Sequence, residues 1–446
     1  MTNSHHLPIP PEKDTRTLIL CDFDGTVSTR DTVNRLIRDH VESSEWRFHF
    51  KRYLRGELGS RGVYEAVAPL MKMTPGDLSR FVQGFALLDP AFPMFLDWAR
   101  DCGIDVKIVS DGFDATIREL FRYHGLNGID IFSNRLVLAD DGVVEIGFPH
   151  EDPGCGICGT CKLGVIGRFR SEYDKIILIG DGESDRHAAH AADRVLALKD
   201  LFQYCAREGI PALRVDGFNE VPWLLTRRME AVIFDMDGTL VESLDSIAEA
   251  FNHMLGVLGY PLMTKEEVAR KTIISLKDFT ANYLKPGEQE EGVRIFRAFY
   301  DGIYLQRTKV LPGVEELLGH INETAVCGVI TNKKGAYARR LVEHLGLAER
   351  LPTVIGAEDG FKAKPSGDMI REFVRRHGVS LRGTIYVGDT PVDVQAAANG
   401  GVDSYAVANE IFSPEELALS RPRRVLRNIN ELADAVRPII SGCPGA

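Results

Sequence analysis

The chain has 446 residues, 44% of them hydrophobic and 26% charged, with a formal net charge of −11. That length exceeds an ordinary single domain and suits two, each able to bury a sizeable core. The acidic balance argues against nucleic acid or an anionic membrane as the main partner, and no apolar stretch approaches the ~20 residues that span a bilayer.

Residues 1–15 are polar and proline-rich and read as a disordered tail. They lack the basic start and apolar run of a signal peptide, so a cytoplasmic location is expected. Eight cysteines fit a reducing compartment, as packing residues, metal ligands or catalytic thiols rather than as a disulfide frame. The first strong element is LILCDFDGTVS at 18–28, a buried strand that runs into Asp22 and Asp24 with a Gly-Thr turn behind them. A long helical segment follows over 31–88, in which Thr74-Pro75 with Asp77 marks a helix start. Its aromatic-rich EWRFHFKRY reads as a helix with an apolar face rather than a nucleic-acid surface. Next come a strand ending in a small hydroxyl residue, VKIVSDG at 106–112, then Lys162, then a strand ending in Gly-Asp, IILIGDGESD at 176–185.

The same order then repeats. AVIFDMDGTLV at 231–241 ends in Asp235 and Asp237, and a helical segment spans 243–309, with Thr264 and Glu267 placed as a capping box. VCGVITN at 326–332, Lys364 and TIYVGDTPVD at 384–393 complete the set. The period is roughly 210 residues, a domain length. Two domains are expected, 16–226 and 229–438, divided near VDGFNEVPWLLTRR at 215–228. Apolar strands alternating with helices predict an α/β class with parallel sheets covered on both faces. In such sheets ligands bind beyond the carboxyl ends of the strands, where every polar motif above lies.

The chemistry follows from the residue types. A carboxylate at a strand end can attack phosphorus and form an aspartyl phosphate. A second acid two residues on lies on the same side of an extended chain and can protonate the leaving oxygen, then activate water. A hydroxyl and a lysine can hold the transferring group. The Gly-Asp acids suit Mg²⁺, which prefers oxygen ligands. Acids at strand ends also serve as helix caps, but four motifs in order, repeated, weigh against that reading.

At this point the sequence resembles the haloacid dehalogenase superfamily of phosphatases, twice over. CDFDGTVSTRDTVN, SDGF and GDGESD resemble its phosphoserine phosphatase and methionine-salvage phosphatase branch; FDMDGTLVESLDSI, LPGVEELL, ITNK and GDTPVD resemble phosphoglycolate phosphatases and their pyrophosphatase relatives. The resemblance implies two Rossmann-like cores, each with an inserted helical cap and one Mg²⁺, acting on small phosphorylated metabolites. It implies Asp22 and Asp235 as nucleophiles and Asp24 and Asp237 as general acid/bases. Ser110, Asp111, Gly112 and Lys162, with Thr26, would bind phosphate in the first half, and Thr331, Asn332 and Lys364, with Thr239, in the second. Asp181 and Asp389 would bind the metal, with Asp185 and Asp393 as ligands or supports and the carbonyls of Asp24 and Asp237 completing the protein's share. Gly367 stands where the phosphoglycolate group has the second proline of Lys-Pro-x-Pro. Members that remove halogen lack the second aspartate, which both halves keep. Two rival readings are phosphotransfer between hydroxyls and one catalytic half joined to a non-catalytic binding or dimerisation module. Finally, HEDPGCGICGTCK places His150, Cys155, Cys158 and Cys161 before Lys162, a spacing open to Zn²⁺, to redox chemistry or to plain packing.

Overall fold

The computed structural model describes residues 15–41, 44–436 and 439; the expected tail therefore lies outside the described residues, Thr15 apart. The chain clusters into two compact units. One gathers residues up to Cys205 with Val215–Thr226 and Ile439; the other gathers Ala206–Arg214 with the described chain from Arg227 to Val436.

In the first unit β1 (Thr17–Cys21), β2 (Asp105–Phe113), β3 (Asp130–Leu138), β4 (Val144–Gly147), β5 (Lys175–Gly180) and β6 (Arg194–Ala197) lie in the order β4-β3-β2-β1-β5-β6. Every residue of β1 is buried, as its unbroken apolar run requires of a central parallel strand. The ladders are parallel except β3–β4, an antiparallel pair. That hairpin departs from the all-parallel expectation. It turns through Asp140-Asp141-Gly142, with Gly142 at φ +85°, a conformation that favours glycine. In the second unit β7 (Ala231–Phe234), β8 (Val326–Lys334), β9 (Thr353–Ala357), β10 (Thr384–Gly388), β11 (Asp403–Val407) and β12 (Arg424–Leu426) form one parallel sheet of order β9-β8-β7-β10-β11-β12. Both halves are α/β, and both put the first-motif strand at the centre.

Between the first and second sheet strands of each unit stands a helical insertion. The first contains α1 (Thr32–His40), α2 (Trp46–Leu54), α3 (Ser60–Val67) and α4 (Pro75–Phe85). α4 starts on the capping box of Thr74 and Asp77. The second contains α6 (Leu244–Val257), α7 (Lys265–Lys271), α8 (Leu276–Tyr283) and α9 (Gln289–Arg307), following α5 (Lys162–Phe169) of the first unit. The Thr264–Glu267 capping box opens α7. Each insertion is tied at its base. Ser28 bridges Leu88 in the first unit, and a short antiparallel ribbon pairs Val241–Glu242 with Lys309–Val310 in the second. Entry and exit of each insertion are thus held together beside the carboxyl end of the central strand.

Among the described residues six cysteines are free, and Cys102 is disulfide-bonded. The expectation that the cysteines act only as packing, ligand or catalytic thiols fails at Cys102. No described helix is long and apolar enough to cross a membrane.

Candidate active sites

Asp22 leaves the end of β1 with its backbone N–H on the Ile179 carbonyl of β5. Lys162, the first residue of α5, reaches it across the sheet end. Its Nζ donates to Asp22 Oδ1 (2.5 Å), Asp185 Oδ1 (2.6 Å) and Ser184 Oγ (2.9 Å). All three charged side chains are buried. Burial alone would lower the Lys162 pKa, but Asp185 and Asp22 raise it, so the ammonium stays charged. Burial pushes the Asp22 carboxyl well above its ordinary value, and Asp185 and Asp181 push the same way against Lys162. Oxygens of Asp22, Asp181 and Asp185 lie within 4.8 Å of one another. Three carboxylates against one central lysine leave the cluster short of positive charge, and its donors are all hard oxygens. A divalent cation such as Mg²⁺ fits both features.

The turn after Asp24 brings the metal-ligand candidate in. Gly25 has φ +81°, and a Cβ there would come within 2.0 Å of Asp181 Oδ2. Gly238 repeats this at φ +84° and 2.3 Å from Asp389 Oδ2. Glycine is needed for the backbone angle and for the approach of the acid.

Asp24 is turned away from that cluster. Its Oδ1 accepts from the Thr32 N–H (2.6 Å) and hydroxyl (2.5 Å) at the start of α1. Burial raises its pKa to about 7, helped by Asp31 and opposed by Thr32. Such an acid keeps its proton near neutrality, as a donor to a leaving oxygen must. Unfolded, Asp24 would lose its proton near the ordinary 3.8, so folding retains a proton between about 4 and 7 and stability falls as pH rises through that window. Asp24→Asn is therefore expected to raise Tm relative to wild type, by an amount that grows from pH 5 to pH 8 in metal-free buffer. A Tm difference independent of pH would contradict the assignment.

The remaining first-half candidates gather nearby. Ser110 Oγ accepts from the Gly112 N–H (2.9 Å). Asp111 is held from several sides: Asn134 donates to its carbonyl (2.7 Å), and Thr160 N–H donates to its carboxylate (3.0 Å), while Tyr64 reaches its carbonyl (2.8 Å). The Thr26 hydroxyl is buried without a hydrogen-bond partner.

The second site repeats the arrangement with other supports. Lys364 Nζ donates to Asp235 Oδ1 (2.7 Å), Asp393 Oδ1 (2.6 Å) and the Tyr386 hydroxyl (3.1 Å). Asp235, Asp389 and Asp393 form the matching acidic group. Burial raises the Asp235 carboxyl to about 7, with Asp393 and Asp237 adding to it and Lys364 opposing. The Thr239 hydroxyl donates to Asp389 (2.9 Å). Thr331 Oγ1 accepts from the Lys333 N–H (3.1 Å). Asn332 clamps the lysine loop, donating to the Lys364 carbonyl (3.1 Å) and accepting from its N–H (2.8 Å). At Gly367 a Cβ would lie 2.3 Å from Gly400 N; the loop sits against that backbone, which excludes the expected proline.

Sequence reasoning missed several supports. Lys333, buried, lies 3.1 Å from Asp237 Oδ1 and 2.8 Å from the Tyr300 hydroxyl of α9. Ser243 also donates to Asp237. Lys199 donates to Asp181 Oδ2 (2.9 Å) and the Gly25 carbonyl (2.7 Å), where the second unit uses the Asn409 amide on Asp389 Oδ2 (2.8 Å). Apart from Ser243, which lies six residues beyond Asp237, these contacts join residues well separated in sequence, and only the adjacency of Lys333 to ITN gave any signal.

Among the described residues the cysteine loop is not one of the groups that bring three metal-ligand atoms within 4.8 Å of one another. The two aspartate groups are the only such clusters among the described residues. His150 faces Arg168 (3.2 Å) and Phe132, and Cys161 caps α5, its sulfur accepting from the Gly164 N–H.

Comparison with known proteins gives the same division. Haloacid dehalogenase-like hydrolase family models match residues 19–190 and 232–407. A 2-hydroxy-3-keto-5-methylthiopentenyl-1-phosphate phosphatase of Bacillus velezensis is 32% identical over 218 residues, covering 46% of this chain and 89% of the relative. A phosphoglycolate phosphatase of Shigella boydii is 29% identical over 236 residues, covering 47% and 92%. The bifunctional enzyme MtnB/MtnX of Bacillus licheniformis is 28% identical over 220 residues, covering 48% of this chain, which spans only 50% of that relative. Paired acids at the end of each central strand, a buried lysine across from them and these matches agree: the chain belongs to the haloacid dehalogenase-like hydrolases and is a phosphatase built from two such units.

Proposed function

We propose that both units are Mg²⁺-dependent phosphomonoester hydrolases working through aspartyl-phosphate intermediates on small phosphorylated metabolites. The observation that carries this reading is the division of labour within each acid pair. Asp22 and Asp235 face the lysine and the acidic cluster, whereas Asp24 is held apart by Thr32 and Asp237 by Ser243 and Lys333. Asp22 or Asp235 attacks phosphorus; Asp24 or Asp237 gives a proton to the leaving oxygen and then takes one from the attacking water. Lys162 or Lys364, with Ser110 or Thr331, holds the transferring group. Thr26, whose hydroxyl has no protein partner, is assigned to substrate; Thr239, engaged with Asp389, is assigned to positioning that acid.

Asp22 with Asp181, and Asp235 with Asp389, would hold Mg²⁺ together with the carbonyls of Asp24 and Asp237. Asp185 and Asp393 are assigned as supports, because both oxygens of each already accept hydrogen bonds. Bound there, Mg²⁺ supplies the positive charge that offsets the crowded acids and the phosphoryl oxygens. The helical insertions serve as caps that select the substrate, within domains over 16–226 and 229–438. The test is phosphate release over a metabolite panel that includes the two phosphoesters named by the relatives. EDTA should abolish it and Mg²⁺ restore it; full activity in EDTA with no metal in the protein would sink the proposal. An isomeric sugar phosphate formed without free phosphate would favour phosphotransfer instead.

The two sites should differ in metal affinity. Lys199 sets an ammonium against Asp181 where Asn409 sets a neutral amide against Asp389, so the first site repels a cation that the second does not. Calorimetric titration should resolve a weaker and a tighter Mg²⁺ site. Lys199→Asn should tighten the weaker one by about tenfold, a modest effect because the lysine is half-exposed. Equal affinities, unmoved by the substitution, would overturn this.

A further inference from the structure

The phosphatase reading uses none of Cys155, Cys158 and Cys161, yet their loop is wired into the first site. The Gly159 N–H donates to Ser60 Oγ (3.1 Å) and the Arg61 N–H donates to the Ile157 carbonyl (3.2 Å), both at the start of α3 in the insertion. The two backbones abut there, since a Cβ on Gly59 would fall 2.0 Å from the Ile157 oxygen. The next residue, Thr160, fixes the Asp111 carboxylate, and Ser60 hydrogen-bonds the same carboxylate. Directly after Thr160, Cys161 caps the helix whose first residue is Lys162. One short loop thus links the insertion, the Ser110–Gly112 segment and the lysine.

Cys155 and Cys158 flank that linkage with Sγ atoms 3.5 Å apart. A disulfide needs about 2.05 Å, so closure requires a shift of roughly 1.5 Å at the loop. Both thiols are partly exposed, and the turn between them is open to solvent, with Ile157 52% exposed. We propose that Cys155 and Cys158 form a reversible disulfide whose closure pulls Ile157–Thr160 away from Ser60, Arg61 and Asp111 and slows the first site, leaving the second untouched. This rests on the phosphatase reading of the first site. The two thiols are also unequal. Burial raises the Cys155 pKa, but the N–H groups of Ile157 and Cys158 and the neighbouring thiols outweigh it and bring Cys155 below the ordinary thiol value. Burial raises Cys158, as does its hydrogen bond to Cys155. Cys155 is then the attacking thiolate.

The oxidant is a low-molecular-weight disulfide, R–S–S–R. Cys155 thiolate attacks one of its sulfurs, that S–S bond breaks, and R–S⁻ leaves with the electron pair and takes up a proton. Cys158 gives its proton to solvent and attacks Cys155 Sγ, which releases a second R–SH. Two protein thiols are oxidised and one small disulfide is reduced to two thiols.

The second unit supplies the control, because its described free cysteine, Cys327, is buried in β8. Full-length Asp235→Asn protein reports the first site and Asp22→Asn protein the second, each assayed with p-nitrophenyl phosphate before and after oxidised glutathione. Peptide mapping should locate a Cys155–Cys158 disulfide. First-site turnover should fall about tenfold to a hundredfold, the range that a misplaced catalytic group costs, and return with dithiothreitol. Amide hydrogen exchange at Gly159–Thr160 should quicken on oxidation. Cys155→Ser should keep its activity and lose the response. The proposal is overturned if the disulfide forms without slowing the first site, if none forms, if both sites slow together, or if an equivalent of zinc blocks the thiols. A reduced protein inactive toward every phosphomonoester would instead overturn the phosphatase reading, and mapping with hydrogen exchange would still decide the pair.

Discussion

Asp22→Asn is expected to remove one hydrolytic activity of the chain and Asp235→Asn the other, each by about 10⁴-fold or more in kcat, because a covalent mechanism loses its nucleophile. Substrate affinity should be largely kept, since the lysine, the strand-end hydroxyl and the cap remain. Stability should not fall either. Lys162 keeps Asp185 at 2.6 Å and Lys364 keeps Asp393 at 2.6 Å, and a neutral amide removes a carboxylate that burial already holds above its ordinary pKa. The measurement is a substrate panel assayed with wild type and both variants, with Tm recorded for each. If Asp235→Asn leaves every detectable activity intact, the second unit is a binding module and the two-enzyme reading fails. If either variant unfolds, the loss of activity says nothing about the nucleophile, and Asp22→Glu or Asp235→Glu, which keep the charge but displace it, become the test.

The central features of both units were readable because burial leaves a one-dimensional trace. LILC and AVIF are unbroken apolar runs that stop at an acid, and each proves to be the fully buried middle strand of its sheet. The helix start at Thr74 and the capping box at Thr264 were readable for the same local reason, since the signals lie within one helical turn. Lys162 and Lys364 were legible only by their order between the second and last strand motifs; nothing local in CKLG or AKPS marks an ammonium that is buried between two carboxylates. The second set of supports left almost no trace, the adjacency of Lys333 to ITN being its one signal. Thr32 on Asp24, Lys333 on Asp237, and Lys199 and Asn409 on their acids depend on where strands end in space. The cysteine spacing left its readings open for a different reason. A C-x-x-C repeat carries the same spacing whether its sulfurs meet a metal, each other or a backbone N–H, and here Cys161 does the last.

Lys162→Met should destabilise the first unit more than any other single change at the sites. Its ammonium is 2% exposed and lies between Asp22, 5% exposed, and Asp185, fully buried. Methionine of similar length fills the volume and leaves two carboxylates facing each other without a counter-charge. Breaking a buried pair in this way costs roughly 3–5 kcal/mol, or a fall in Tm on the order of 10 °C for a unit of this size. The penalty has a pH signature. Without the ammonium that lowers it, the Asp22 carboxyl holds its proton to higher pH than in wild type, so the deficit is largest at pH 8 and shrinks as acidification lets Asp22 protonate. Asp22→Asn introduced into Lys162→Met should recover part of the loss, because one of the two buried charges is then gone. Lys364→Met should cost less, since the Tyr386 hydroxyl, 3.2 Å from Asp393 Oδ1, remains to face that acid. Lys199→Met, which removes a half-exposed ammonium from Asp181, should hardly register, as expected of a solvated pair. Thermal unfolding of the four variants from pH 5.5 to pH 8 gives the ranking; a Lys162→Met protein as stable as wild type at pH 8 would mean that the ammonium does not offset buried negative charge there, and the charge balance assigned to the first site would have to be withdrawn.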